Sequence, residues 1–340
     1  MIARTRIARA LSGVLAAAVL AAVALAGCGS PGSGAGPGGA GTAPAASGPG
    51  APVPAPAPTR YTGPVRDTLH YASNTGTGRA AAARLGFNLF DLNPDKAAID
   101  ALGPGQRALV WVGNLDNTSC TPGFSDSAFT AAVDRLAGDP KVWGYYLSDE
   151  PHPRVCPDAV AHIRQRADYI RAHDPTHKSF IVVLDGPKEC GTDLGCEYRV
   201  MRPESTHVDL IGIDPFPCTI PSGVCTVDRI DEQVLRAQAQ GVPREVMVPV
   251  YQVFGQVCPG NKTHYYRLPS AQDLTGMLDR WRELVGTPVF DFAYTWRSEG
   301  PACPGLADAD GRNGYADLQS VVRRHNANPA PSGGTSPSRG

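Results

Sequence analysis

The chain has 340 residues, 42% of them hydrophobic, and its 31 basic and 32 acidic side chains leave a net charge of −1 at pH 7. With no basic or acidic block in its central part, that balance excludes nucleic acid as a partner and favours small neutral or mildly polar ligands. Nine cysteines point away from a reducing compartment.

The N-terminal stretch places Arg4, Arg6 and Arg9 ahead of an apolar run over residues 10–26, the charged-then-apolar layout of a secretory signal peptide. The run is shorter than the roughly 20 residues that a membrane span needs, so residues 1–27 are expected to be a signal peptide. It closes with Leu25-Ala26-Gly27-Cys28, which resembles the lipobox of bacterial lipoproteins. That resemblance implies a lipid on Cys28, anchorage to the membrane through it, and a place on the outer face of the bacterial cell membrane, outside the cytoplasm. Residues 28–60 are then a tether, almost wholly Gly, Pro, Ala and Ser after the cysteine, a composition that cannot bury enough apolar surface to offset chain entropy. Residues 328–340 have the same character and are expected to fray.

Residues 61–327 are enough for one large domain with its own core, expected to be a monomer. β-Branched and aromatic runs alternate with helical patterns, the signature of βα units around a parallel sheet. The predicted strands are 68–72, 88–92, 108–112, 142–147, 179–184, 208–213, 245–251 and 288–295. Helices are predicted over 78–85, 95–102, 125–137, 157–173, 196–202, 228–240, 270–285 and 313–325. Ser125 and Asp228 read as N-caps, Pro157 as a first-turn residue, and Gly138, Gly241 and Gly286 as the glycines that follow last turns. Eight units in this length predict a single (β/α)8 TIM barrel with disulfide-braced βα loops. An open doubly wound sheet would carry a Gly-rich phosphate turn after its first strand, and Asn74-Thr75-Gly76-Thr77-Gly78 lacks that spacing.

Setting Cys28 aside leaves Cys120, Cys156, Cys190, Cys196, Cys218, Cys225, Cys258 and Cys303, all after predicted strands and therefore on the C-terminal rim of a barrel. Eight cysteines allow about 105 pairings. Neighbouring loops favour Cys190 with Cys196, Cys218 with Cys225, Cys120 with Cys156, and Cys258 with Cys303. No C-x-x-C pair or His-rich spacing is present, so neither a structural metal nor any cofactor is expected.

The fourth strand breaks into Ser148-Asp149-Glu150-Pro151, and Pro151 ends the strand so that Glu150 falls at the lip. A solvated acidic turn would read the same way, but two carboxylates directly after a buried strand favour chemistry. The stretch resembles the Asn-Glu-Pro motif on the fourth strand of the large clan of retaining glycoside hydrolases with (β/α)8 barrels. That resemblance implies that Glu150 is the general acid/base and that Asp149 replaces the asparagine. Trp296 resembles the clan's strand-eight tryptophan, whose face floors a sugar subsite. The clan places a nucleophilic glutamate at the end of strand seven; here the position offers Gln252, which cannot form a glycosyl ester.

Asp116, Asp185, Asp214 and Glu299 also follow strands. Asp214 is preferred as the second acid, because like Glu150 it ends a strand and precedes proline. Trp111, Asn114, Tyr146, Tyr251, Gln252, Trp296 and Glu299 are the expected sugar contacts, with Phe216 beside them, although several of these, Trp296 among them, read equally well as barrel core. The leading expectation is a surface-anchored glycoside hydrolase, or a relative of one, acting on a glycan. The alternative is a non-catalytic carbohydrate-binding or cell-wall-associated lipoprotein, which Gln252 favours. A purely structural envelope protein leaves the rim carboxylates unexplained.

Overall fold

A computed structural model describes residues 68–257, 265–297, 303–307 and 315–327. The expected signal peptide, Cys28, the tether and the C-terminal tail lie outside the described residues, as do Cys258 and Glu299. Eight strands close a parallel barrel in sequence order: β1 Leu69–Ala72, β2 Leu89–Leu92, β3 Arg107–Trp111, β4 Val142–Asp149, β5 Lys178–Val183, β6 Leu210–Ile213, β7 Met247–Gln252 and β8 Phe290–Tyr294. The helices are α1 Arg79–Ala83, α2 Lys96–Asp100, α3 Asp126–Leu136, α4 Ala159–His173, α5 Pro187–Cys190, α6 Cys196–Met201, α7 Pro203–Thr206, α8 Asp228–Ala239, α9 Ala271–Val285 and α10 Tyr315–Ala327. The single (β/α)8 barrel expected from the alternating pattern is therefore the observed fold. Among the described residues no helix is long and apolar enough to cross a membrane.

Strand alternation sorts the side chains into two cores. Leu89, Leu109, Tyr146, Phe180, Val182, Val248, Phe290 and Phe292 fill the barrel, whereas Phe90, Val110, Tyr145, Ile181 and Tyr251 pack under the helices. Two register shifts disturb this alternation in β4. Beyond Tyr146 the pairing with β5 jumps to Ser148, so Asp149 lies opposite the inward-facing Val182. A bulge of this kind re-aims the side chains that follow it, and here it turns Asp149 from the helix side into the barrel mouth.

The smaller departures from the sequence reading have local causes. Ser125 caps α3 as expected, accepting from the Ala128 N–H at 3.2 Å. Asp228 instead occupies the first turn of α8 behind Val227, without a side-chain cap. Pro157 lies in the turn before α4, which begins at Ala159. Gly138, Gly241 and Gly286 all adopt positive φ after their helices, as expected. The short α5 and α7 escape a periodicity search because a single turn carries no repeat.

The disulfides Cys120–Cys156, Cys190–Cys196 and Cys218–Cys225 form as expected, with Cα separations of 5.4, 5.7 and 4.0 Å. All three brace loops on the C-terminal rim. Cys303 is disulfide-bonded as well; its expected partner Cys258 is among the residues outside the description.

Candidate active site

On several strands the inward-facing phase ends at the rim in a polar or aromatic side chain. On β6, Leu210 and Gly212 face inward, and the next residue in phase is Asp214. It is 3% exposed and its side chain hydrogen-bonds that of Glu150, while its Oδ1 is buried with no hydrogen-bond partner. Burial pushes the Asp214 carboxyl well above the usual carboxylate range, and the charge and hydrogen bond of Glu150 and the charge of Asp149 push it the same way. Two hydrogen-bonded carboxyls of this kind titrate as a pair rather than singly.

Glu150 has φ +47°, a left-handed backbone that costs a non-glycine residue about 1–2 kcal/mol. Its N–H donates to the Val182 carbonyl at 3.1 Å. Its carbonyl accepts from Asn117 Nδ2 at 2.8 Å, and Asn117 Oδ1 accepts from the His152 N–H at 3.0 Å. Phe216, two residues beyond Asp214, also has positive φ, at +38°. Both acids thus stand at bends that the surrounding chain holds in place.

Asp149 accepts from Tyr146 Oη at 2.6 Å. Asn114 grips its backbone: Nδ2 donates to the Asp149 carbonyl at 3.1 Å, and Oδ1 accepts from the Asp149 N–H. Asp91, absent from the sequence-derived candidates, is a fourth rim carboxylate. It follows Leu89 in inward phase on β2 and accepts from the Thr75 N–H and Oγ1 at 3.3 and 3.4 Å. Burial pushes its carboxyl up to about 6. The available signal was parity, since a lone acid in phase with a buried leucine must meet the barrel mouth.

Aromatic rings surround these acids. Trp111 meets Tyr146 edge-on at 4.9 Å, and Phe216 lies 5.6 Å from Tyr294 and 5.7 Å from Tyr266. Trp111 also lines an open depression of about 380 Å³ with Asn93, Asn114, Asp116, Asn117 and Phe124. Acids, amides and ring faces at one barrel mouth suit proton transfer to a polyhydroxylated ligand.

Solved structures share this architecture. A chitinase from Chromobacterium violaceum superposes with a TM-score of 0.51 at 14% identity, over 77% of this chain and 100% of that one. A mutant plant class V chitinase from Cycas revoluta in complex with (GlcNAc)3 gives 0.50 at 12% identity, over 76% and 99%. The shared feature is the closed (β/α)8 barrel. At such identities the likeness speaks for the fold alone. No family model matches the sequence, and no curated protein matches it.

Within this barrel, several expected sugar contacts lie elsewhere. Gln252 is fully buried. Its Oε1 accepts from the Cys218 N–H at 2.9 Å, and Nε2 donates to the carbonyls of Cys218, Phe254 and Arg267 at 3.1, 3.2 and 2.9 Å. It therefore staples the loops after β6 and β7 rather than meeting a ligand. Tyr251 faces the helices and packs against His325, because it is out of phase with the inward Val250. Trp296 is also core: β8 ends at Tyr294, and the indole sits against Phe87 and the backbone of Gly78. Tyr294 holds the rim position expected of Trp296. Trp111, Asn114 and Tyr146 do reach the rim, although Asn114 spends its amide on the Asp149 backbone.

The other candidate second acids are occupied or lie outside. Asp185 is buried and accepts from the Gly195 and Glu197 N–H groups at 2.9 and 3.2 Å, with Arg236 Nη1 at 3.0 Å, so it anchors the loop after β5. Asp116 is exposed and accepts from the Thr118 and Ser119 N–H groups, an Asx-type turn that holds its carboxyl below the usual range. Glu299 falls outside the described residues. Asp185 also approaches Cys190 and Cys196 in a metal-like grouping, but those sulfurs are joined in a disulfide and carry no thiolate to offer.

Proposed function

We propose that the protein is a glycoside hydrolase acting on a glycan, with Glu150 as general acid/base and Asp214 as the partner that shares its proton. The observation that carries this reading is the hydrogen-bonded Glu150–Asp214 pair at the barrel mouth, with Glu150 held at positive φ. The raised Asp214 carboxyl, hydrogen-bonded to Glu150 and beside the charge of Asp149, favours a protonated acid at the mouth, as protonation of a glycosidic oxygen requires. The negative charge left behind also favours the oxocarbenium-like transition state of glycoside cleavage.

A direct hydrogen bond brings the two carboxyls closer than the roughly 5–5.5 Å of a nucleophile and acid pair flanking a sugar. Asp214 in this reading tunes the acid rather than attacking carbon, and Gln252 cannot attack. That division fits substrate-assisted cleavage, in which a group on the sugar itself meets the anomeric carbon. Polymers of N-acetylated sugars are accordingly the substrates to test first, consistent with chitinases among the structural neighbours. Trp111, Tyr146 and Tyr294 would supply ring faces, and Asp149 a charge held by Tyr146.

The test is product release from N-acetylglucosamine oligomers and from peptidoglycan, comparing the wild type with Glu150→Gln. Cleavage lost in the variant supports the assignment; cleavage unchanged in the variant removes it. A non-catalytic glycan-binding protein is the second reading, favoured by the locked Gln252. Retention of a glycan without cleavage by the wild type selects it.

We also propose that Cys28 is the lipid-bearing residue that anchors the chain, as a monomer, to the outer face of the cell membrane. The disulfides fit such an oxidising site. Cys28→Ala should release the protein from the membrane fraction; unchanged membrane association would refute the anchor.

A further inference from the structure

On the far side of the barrel wall from the rim acids, three metal-binding side chains converge. His70 and Asp291 are register partners on adjoining β1 and β8, and both point outward, toward the helices, because the inward phase belongs to Leu69, Tyr71, Phe290 and Phe292. His325, from the last turn of α10, closes over them. His70 Nδ1 lies 3.0 Å from Asp291 Oδ1, and His325 Nε2 lies 2.7 Å from Asp291 Oδ2. One ligand atom from each of the three residues falls within 4.8 Å of the others.

A second observation comes from the neighbouring strand. Tyr251 on β7 is 1% exposed, and its ring lies 6.0 Å from that of His325. Its hydroxyl is buried without a hydrogen-bond partner. A phenol left unsatisfied inside a core is costly, and a water or ion held beside Asp291 would supply what it lacks. His325 keeps 18% of its side chain exposed, which leaves a way in from solvent over the end of α10.

We propose that His70, Asp291 and His325 form a binding site for a divalent transition-metal ion, with Tyr251 packed against His325 beside it. Two imidazoles and one carboxylate are the donor set of zinc and its neighbours in the first transition row, not of calcium or magnesium. Tetrahedral zinc holds its N and O ligands at about 2.0–2.2 Å, so the two His–Asp291 pairs would have to open only slightly from their present hydrogen-bonded spacing. On binding, each imidazole offers the lone pair of the nitrogen now facing Asp291, and the proton there moves to the other ring nitrogen or to buffer. The ion would tie the barrel's closing seam to its last helix. This site is independent of the glycan chemistry at the rim.

The test is calorimetric titration of the purified full chain, stripped with chelator, with zinc chloride, alongside the visible spectrum after cobalt(II) chloride. Wild type should bind one zinc ion per chain, and its cobalt form should show the absorption of a four- or five-coordinate N/O site. His325→Ala, altering a partly exposed residue, should weaken zinc at least about 100-fold, and Tyr251→Phe about tenfold. Zinc should raise the melting temperature of the wild type but not of His325→Ala. Absence of binding by the wild type overturns the proposal, and so does binding by His325→Ala as tight as the wild type's.

Discussion

Asp214 and Asp291 are both buried carboxylates carried by strands of one barrel, yet their surroundings move them in opposite directions. Asp291 faces the helix layer between two imidazoles, whose charge and hydrogen bonds hold its carboxyl well below the usual range against the pull of burial. Asp214 faces the mouth among other acids, and burial and negative neighbours together push it well above that range. The fold has satisfied one acid and left the other frustrated, with an unpartnered oxygen beside a strained Glu150. Unsatisfied, mutually repelling groups are common where chemistry requires them, so the contrast separates the acid proposed for chemistry from the acid that holds the seam.

The largest effect expected from this contrast is at Glu150. Glu150→Gln should lower turnover of a responsive glycan by about 10²–10⁴-fold, the scale of general acid/base catalysis, with the melting temperature nearly unchanged. Stability should respond at Asp291 instead. Asp291→Ala strands two imidazoles in the core and should cost about 3–5 kcal/mol in urea unfolding; a variant as stable as the wild type would erase the contrast.

A smaller effect concerns pH. Asp214 and Asp91 hold their protons more tightly folded than unfolded, so their contribution to stability is fully present below about pH 4. It falls as pH rises, through about 6 for Asp91, and Asp214 is shifted in the same direction. Asp91→Asn should therefore gain stability relative to the wild type above about pH 6, and Asp214→Asn should gain it as pH rises; urea midpoints measured from pH 4 to 9 would expose a flat difference if the acids were ordinary. The smallest effect is a scale for the others: Ser125→Ala removes the α3 cap and should cost about 1 kcal/mol without changing turnover or zinc binding.

Much of this was legible in the sequence because barrel strands are short and their alternation strict. The eight runs fell on the eight strands, and the spacing of cysteines in neighbouring loops anticipated three bridges. Followed further, the same parity rule points to Asp91 and Tyr294, both in phase with buried hydrophobic residues. It failed for Asp149, where the bulge after Tyr146 inverts the phase, and no residue pattern in Tyr145-Tyr146-Leu147-Ser148 announces a bulge. Trp296 misled because the resemblance gave the residue type but not the strand's end, which came at Tyr294.

The sequence by itself determined the parallel barrel, its bracing and the identity of the acid-bearing loop, since these follow from local periodicity and from residues close along the chain. Only the tertiary structure decided which acids meet and what satisfies them. Glu150 finds Asp214 across the mouth, Gln252 spends its amide on backbone from two loops, and His70, Asp291 and His325 gather from both ends of the domain. Contacts of that kind depend on barrel closure, which brings the first and last strands together, and no local signal along the chain encodes the distance between them.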